Sequence, residues 1–284
     1  MIQLYTDTSA NLTSDIIKEY GIKLVPFTYR VDGKDSDQSP EGDFDGKAFY
    51  DAMRNGAMVK TSMINIVDFM DGFREALDKG DDVLYIGMSG GISGAAGAAA
   101  VAADCLRDEY KERQIAVIDS LGASLGEGLL VLEAAECLAK GMDLSDICRH
   151  LLTKRAQLHQ YFTVDDLKYL RRGGRISAVA ASVGSMLSIK PILMGDPHGK
   201  IIVESKVRGA AKALAALSAH YARQADDKSA RIGIAHADNE AAALALLEKL
   251  RQQGFCGECI TEVYEPVTGS HVGPGALALF FFEH

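Results

Sequence analysis

The chain has 284 residues, of which 48% are apolar and 24% charged, a composition typical of a globular protein rather than a disordered, collagen-like or disulfide-stapled one. At roughly 150 residues per domain, the length suggests two compact units. Lys and Arg number 30 against 39 Asp and Glu, and the formal net charge of −9 disfavours a nucleic-acid partner, whose phosphates need the opposite sign.

The first half of the chain alternates strand and helix patterns. Apolar runs predict strands at residues 2–6, 22–27, 83–86 and 115–118. Helical patterns follow at residues 13–20, 94–113 and 124–140, and a further one ends near residue 155. Such alternation favours a parallel sheet covered by helices, and we assign residues 1–156 to an α/β domain.

The second half is less regular. Strands are predicted at residues 158–164, 190–194, 201–207, 231–236, 259–264 and 276–282, and helices at 177–187, 209–223 and 239–253. This order indicates a mixed sheet with helices, and we assign residues 157–284 to a smaller α+β domain.

The sequence favours a cytoplasmic location. The N-terminus has no basic segment followed by an apolar one, as a secretory signal would. Residues 83–103 are uncharged, but their glycines and serines fit a strand, a tight loop and a buried helix better than a transmembrane segment. Five cysteines without regular spacing fit a reducing compartment.

A glycine-rich loop at Gly87–Gly94 follows a strand and opens a helix, where α/β folds commonly bind ligands. Free backbone N–H groups, the helix dipole and the Ser93 hydroxyl would favour a carboxylate or phosphate. The alternative is a tight turn with Ser93 as the helix N-cap. The glycines match neither the dinucleotide fingerprint nor a P-loop, so a nucleotide is not expected.

The same loop also satisfies G-x-S-x-G, the nucleophile elbow of α/β-hydrolases, with Ser89 as nucleophile. We keep a serine esterase as the alternative function. It is the weaker one, because residues 122–126 match the same pattern by chance and no oxyanion loop of the HGGG type precedes it. The C-x-x-C pair Cys256 and Cys259 lacks a second pair, and no metal site is expected.

Two further stretches of the sequence contain polar or charged residues that could bind a ligand or a partner. Arg171, Arg172 and Arg175 surround two glycines ahead of the predicted helix at 177–187, and such cations could clamp an anion or meet an acidic partner. Solvated surface arginines are the plainer interpretation. His271 stands in a Gly/Pro-rich turn before the last predicted strand, where loops often carry function.

Ordered motifs along the whole chain resemble the DegV family of bacterial fatty-acid-binding proteins. The motifs are Asp7-Thr8-Ser9, Lys60-Thr61-Ser62, Ser89-x-x-x-Ser93-Gly94, Asp119-Ser120 with Ser124-Leu125-Gly126, Arg172–Ile176, Ile189–Ile192 and His271–Ala276. The chain departs from the family at Met63-Ile64, where Gln-Pro is common, and at Ala95-Ala96, where Thr-Tyr is usual. The resemblance implies a two-domain fold, a parallel α/β/α sheet domain followed by a smaller mixed-sheet domain.

The resemblance also implies a function. One long-chain fatty acid, such as palmitate, stearate or oleate, would lie buried between the domains, with Thr61, Ser93, Gly94 and His271 at its carboxylate. The first domain would carry the head-group site and the second would cover the acyl chain. Small residues such as Ala178 and Gly184 leave room for a long tail beside their predicted helix, and core packing explains them equally well. The protein would be a monomeric carrier rather than an enzyme, and would need no cofactor. It would present the fatty acid to a separate ATP-dependent fatty acid kinase for acyl-phosphate formation and phospholipid synthesis, with Arg171, Arg172 and Arg175 as candidate contacts to the partner or phosphate.

Overall fold

The structure, a computed structural model, describes residues 1–35, 44–176 and 189–283. The helix predicted at 177–187, with Ala178 and Gly184, lies outside these residues. The strands are β1 (Ile2–Asp7), β2 (Lys23–Val25), β3 (Thr28–Val31), β4 (Lys34–Asp35), β5 (Val59–Ser62), β6 (Asp82–Gly87), β7 (Ile115–Asp119), β8 (Leu158–Thr163), β9 (Ile189–Gly195), β10 (Ile201–Arg208), β11 (Ile232–His236), β12 (Cys259–Val263) and β13 (Leu277–Phe282).

The helices alternate with these strands along the chain. They are α1 (Ser14–Glu19), α2 (Gly46–Arg54), α3 (Ile66–Leu77), α4 (Ala95–Glu109), α5 (Leu125–Ala139), α6 (Leu144–Gln157), α7 (Lys168–Gly173), α8 (Ala210–Gln224), α9 (Glu240–Gln252) and α10 (Pro266–Val272), with a short 3-10 helix at Thr8–Ala10. Within the described residues, no helix is both long and apolar enough to cross a membrane.

A four-stranded parallel sheet forms the centre of the first half, in the order β2-β1-β6-β7. Successive side chains of a strand point to opposite faces, and both faces here are buried. Tyr5 and Tyr85 pack with α3 and α4 on one face. Leu4 and Leu84 pack with α5 on the other. The sheet therefore has the helix-covered parallel arrangement that the alternating pattern predicts.

A six-stranded mixed sheet follows, in the order β10-β9-β8-β13-β11-β12. Helices α8 and α9 cover one face. Helix α5 lies against the other face, where a side chain at Gly233 of β11 would come within 2.8 Å of Leu125 Cβ. Since α5 also packs on the parallel sheet, one apolar core spans both sheets. The predicted fold class is confirmed.

Several elements were absent from the sequence prediction, namely α2, α3, α7, α10 and the three-stranded antiparallel sheet β4-β3-β5. Strand β5 escapes detection because it is short and half-exposed, so it has no apolar run. Helix α10 begins with Pro266 after the capping carboxylate of Glu265. It contains His271, and the expectation of a turn at that residue is therefore wrong: the turn begins at Gly273.

Candidate functional site

A cavity lies where the two sheets meet. The space between its lining atoms amounts to about 950 Å³, including the part open to solvent. Most of its wall is apolar, and both halves of the chain contribute: Phe27, Met63, Met88, Ile92, Phe162, Leu170, Ile201, Val267 and Phe280. Thr61, Ser93, Gly94, Arg175 and His271 all lie in this wall. An apolar cavity with a few polar side chains suits an amphipathic ligand.

Thr61 and His271 form a hydrogen-bonded pair across two elements. Thr61 lies in the edge strand β5, and its Oγ1 lies 3.1 Å from Nε2 of His271 on α10. Burial lowers the pKa of His271 from 6.5 to about 4, and the charges of Arg175 and Arg172 act in the same direction. The imidazole is therefore neutral at neutral pH and offers one donor and one acceptor.

Gly173 explains how His271 fits so closely against α7. A Cβ at this position would lie 2.2 Å from Nδ1 of His271. Because that contact is far below van der Waals distance, any side chain at residue 173 would displace the ring. The glycine in the Arg-Gly-Gly-Arg motif thus has a packing role beside the candidate site.

Ser93 and Gly94 lie in the loop between β6 and α4. The Ser93 Oγ accepts a hydrogen bond from the backbone N–H of Ala95 at 3.2 Å, which leaves its proton free to be donated. Gly94, rather than Ser93, is the N-cap of the 15-residue helix α4, whose first residue is Ala95, and Gly94 itself has no side chain to cap the helix. A Cβ at Gly94 would lie 2.5 Å from Sδ of Met63, so Met63 packs directly over this helix end. Helix N-termini favour anions.

The three arginines of the predicted cluster separate in the structure. Arg175 is half-buried in the cavity wall, where its Nε donates to the carbonyl of Ile92 at 3.0 Å. Arg171 and Arg172 are exposed on the last turn of α7. The Arg172 guanidinium lies 5.3 Å from the ring centroid of Tyr169. The cluster therefore spans the C-terminal end of α7, and Arg175 alone of the three lines the cavity.

Ser89 has the environment of a structural residue. It is fully buried. Its Oγ donates to the carbonyl of Gly199 at 2.9 Å and accepts from the N–H of Gly91 at 3.0 Å. A nucleophilic serine needs a base that takes its proton, whereas the proton of Ser89 is held by a backbone carbonyl of the β9–β10 turn. The structure does not favour the esterase alternative.

The sequence did not identify several residues of the wall. Gln160 is one: its Oε1 accepts from the N–H of Ala123 at 3.3 Å and its Nε2 donates to the carbonyl of Leu121 at 3.1 Å. Phe280 pairs with Gln160 across β13 and β8. In the sequence, Gln160 could have been noticed as a polar residue within the strand predicted at residues 158–164. The aromatic wall residues carried no signal that separates them from ordinary core.

A search for clusters of His, Cys, Asp or Glu that could hold a metal ion found none among the described residues. All five cysteines are free thiols.

Comparisons with known proteins agree over the full length of the chain. A family model described as "Uncharacterised protein, DegV family" matches residues 1–284. A DegV domain-containing protein of Clostridium perfringens is 33% identical over 279 residues, which cover 98% of this chain and 96% of that protein.

Solved structures of DegV family proteins are also similar to this chain over its full length. A DegV family protein from Thermus thermophilus, described by its fatty acid binding, is 29% identical with a TM-score of 0.90, and the match covers 100% of this chain and 99% of that one. DegV of Bacillus subtilis, described as a fatty acid binding protein, is 29% identical with a TM-score of 0.86 and 99% coverage of both chains.

Proposed function

The chain belongs to the DegV family, and from that premise we propose that it binds one long-chain fatty acid in the cavity between its two sheets. The carboxylate would lie at the end formed by Thr61, Ser93, Gly94 and His271. The acyl chain would follow the apolar wall. The observation that carries this proposal is that one apolar cavity is lined both by the Thr61–His271 pair and by the N-terminus of α4 at Ser93 and Gly94.

The polar end can hold a carboxylate without a direct ion pair. The Ser93 hydroxyl and one of the Thr61–His271 pair can each donate, and the backbone at Gly94 adds the positive end of the α4 dipole. The half-buried guanidinium of Arg175 also lines the cavity, close enough for its charge to act on His271, and adds positive charge there. Hydrogen bonds to a charged group contribute about 1.5–3 kcal/mol each.

The apolar wall supplies the driving force. A sixteen-carbon chain buried at about 0.8 kcal/mol per methylene gives a gross gain on the order of 12 kcal/mol. That gain offsets the desolvation of the carboxylate and the ordering of the ligand. Palmitate, stearate and oleate are the expected ligands, and Met63 over Gly94 is placed to influence how a head group enters.

The role we propose is that of a carrier and not of a catalyst. The protein would work in a reducing cytoplasm, where free thiols persist. A separate ATP-dependent fatty acid kinase would phosphorylate the presented carboxylate, and the acyl phosphate would enter phospholipid synthesis. The exposed Arg171 and Arg172, beside the cavity on an otherwise acidic protein, are the surface we propose for the kinase or the transferred phosphoryl group.

The head-group assignment is tested by the double variant Thr61→Ala with Ser93→Ala. Loss of two hydroxyl donors should weaken fatty-acid binding by about 3–6 kcal/mol, a factor of roughly a hundred or more. The single variant Thr61→Ser keeps its hydroxyl and serves as the control, with binding close to wild type. A folded double variant that retains fatty acid as tightly as wild type would contradict the assignment.

A further inference from the structure

Two buried carboxyl groups lie behind the head-group loop, joined by one serine. Asp7, at the end of β1, and Glu127, in the first turn of α5, are both completely buried. The Ser9 Oγ lies 2.5 Å from Oδ1 of Asp7 and 2.7 Å from Oε2 of Glu127. Among the described residues neither carboxyl group has an ion pair with Lys, Arg or His within 4.0 Å.

Hydrogen counting shows that this arrangement needs one additional proton. A serine hydroxyl has a single proton to donate, and an ionised carboxylate can only accept. Ser9 can therefore satisfy one carboxylate, and the second short contact would set two lone pairs against each other inside the protein. The contact becomes favourable if one carboxyl group is protonated and donates to Ser9.

The remaining partners decide which group holds that proton. Asp7 accepts from the backbone N–H of Ser9 at 2.9 Å, the hydroxyl of Tyr85 at 2.8 Å and the N–H of Met88 at 3.1 Å. Backbone N–H groups can only donate, so both oxygens of Asp7 already serve as acceptors. Glu127 meets only hydroxyls, from Ser9 and from Thr6 at 3.0 Å. Hydroxyls can accept, so Glu127 is the group that can donate.

The pKa shifts also favour Glu127 as the group that holds the proton. Burial raises the pKa of Glu127 well above its usual value, and the charge of Asp7 adds to the shift. Burial also raises the pKa of Asp7, but hydrogen bonds from Ser9, Met88 and Tyr85 oppose that shift. Glu265, near α10, and Asp119, at the end of β7, are the further acidic groups within electrostatic reach of this network.

The turn that contains Ser9 contacts three parts of the cavity wall. Asp7 holds the N–H of Met88, which begins the loop leading to Ser93. The Thr8 hydroxyl accepts from the N–H of Phe27 at 3.2 Å. Asn11 Oδ1 accepts at 3.0 Å from the N–H of Glu265, the N-cap of the helix that carries His271. The position of this turn therefore sets the distance between the proposed ligands of the carboxylate.

We infer that Glu127 is present as a neutral carboxylic acid and is a positioning residue for the head-group site: it donates to Ser9, Ser9 donates to Asp7, and Asp7 holds the Met88 loop. The inference rests on the proposed function for its binding role. A protonated acid is needed because ionised Glu127 would place a second buried anion beside Asp7 and push the turn away from α5, on which it packs closely at Gly128.

Protonation is tested first with Glu127→Gln, which keeps a donor and removes the titration, and with Glu133→Gln as a control on the same helix. Infrared difference spectra of the whole protein at neutral pH should show a protonated carboxylic acid band that Glu127→Gln lacks and Glu133→Gln keeps. Native wild type would hold one proton that the unfolded chain loses above the ordinary Glu value of 4.5. As pH rises from about 5 to about 7, the unfolding equilibrium constant of wild type should therefore increase by up to about a hundredfold relative to that of Glu127→Gln, which means that wild type becomes less stable.

Positioning is tested by fatty-acid retention. Glu127→Gln should bind palmitate with an affinity within about twofold of wild type. Asp7→Asn cannot accept hydrogen bonds from all the donors that surround Asp7, and its affinity for palmitate should fall at least tenfold. Three results would each overturn the inference. The first is a wild-type spectrum without the carboxylic acid band, and the second is a stability difference between wild type and Glu127→Gln that does not change with pH. The third is a folded Asp7→Asn variant that retains palmitate as well as wild type does. If wild type binds no fatty acid, the proposed function fails, while the infrared and pH results still decide the protonation state of Glu127.

Discussion

His271 gives the sharpest quantitative test of the electrostatics at the site. Burial and two arginines lower its pKa from 6.5 to about 4 in the folded protein. The unfolded chain takes up a proton at this residue below about pH 6.5, and the native protein does so only near pH 4. The stability that the neutral imidazole contributes is therefore fully present above about pH 6.5 and is lost as pH falls from about 6.5 to about 4. The difference of pKa corresponds to about 3 kcal/mol.

The perturbation is His271→Gln, which keeps a hydrogen-bonding side chain beside Thr61 but cannot titrate. Denaturant unfolding of ligand-free protein at pH 7 and pH 4.5 gives the free energy of unfolding of each form. Wild type should lose about 2–3 kcal/mol more than the variant over this interval. NMR titration of the ring should place the pKa of His271 well below 6.5. Equal pH dependence in the two proteins would refute the buried, neutral imidazole described above.

Further predictions concern the loop, the surface arginines and Ser89. Gly91→Ala should destabilise the protein, because its Cβ would lie 2.5 Å from the carbonyl carbon of Gly199, whereas Gly97→Ala in open space within α4 should stabilise it by up to about 1 kcal/mol; thermal unfolding compares them. Arg172→Glu should impair kinase-dependent turnover and leave fatty-acid retention unchanged in a binding assay; loss of both would indicate a role in folding. Ser89→Ala should cost about 1 kcal/mol through its lost hydrogen bond to Gly199. Ser89 should not react with a serine-directed phosphonate, and labelling of Ser89 would instead support the esterase alternative.

Much of the fold could be predicted because its strands are continuous apolar runs. Residues 83–86 are fully buried between helices, and such strands differ clearly from the polar, glycine-rich segments around them. Strand β5 and helix α10 could not be predicted in the same way: one is half-exposed, and the other is a short segment with few apolar residues. These two elements carry Thr61 and His271, whose pairing depends on contacts between residues 210 positions apart.

The cavity was harder to predict than the motifs that border it. Glycines and serines in a strand-to-helix loop have a recognisable pattern, and they led to Ser93. Phe162 and Phe280 look like core residues in the sequence, because an apolar wall and an apolar core use the same side chains. Glu127 was missed for a related reason: α5 is buried on nearly every side, so its sequence has no polar face against which a buried acid would stand out.

Mass spectrometry of the purified protein, under native and then denaturing conditions, shows directly whether one fatty acid occupies the cavity. We expect a single small ligand that leaves on unfolding and has the mass of a long-chain fatty acid, and we expect the Thr61→Ala, Ser93→Ala double variant to lack it. A protein that carries no fatty acid and takes up none of added palmitate, stearate or oleate would rule out the proposed function.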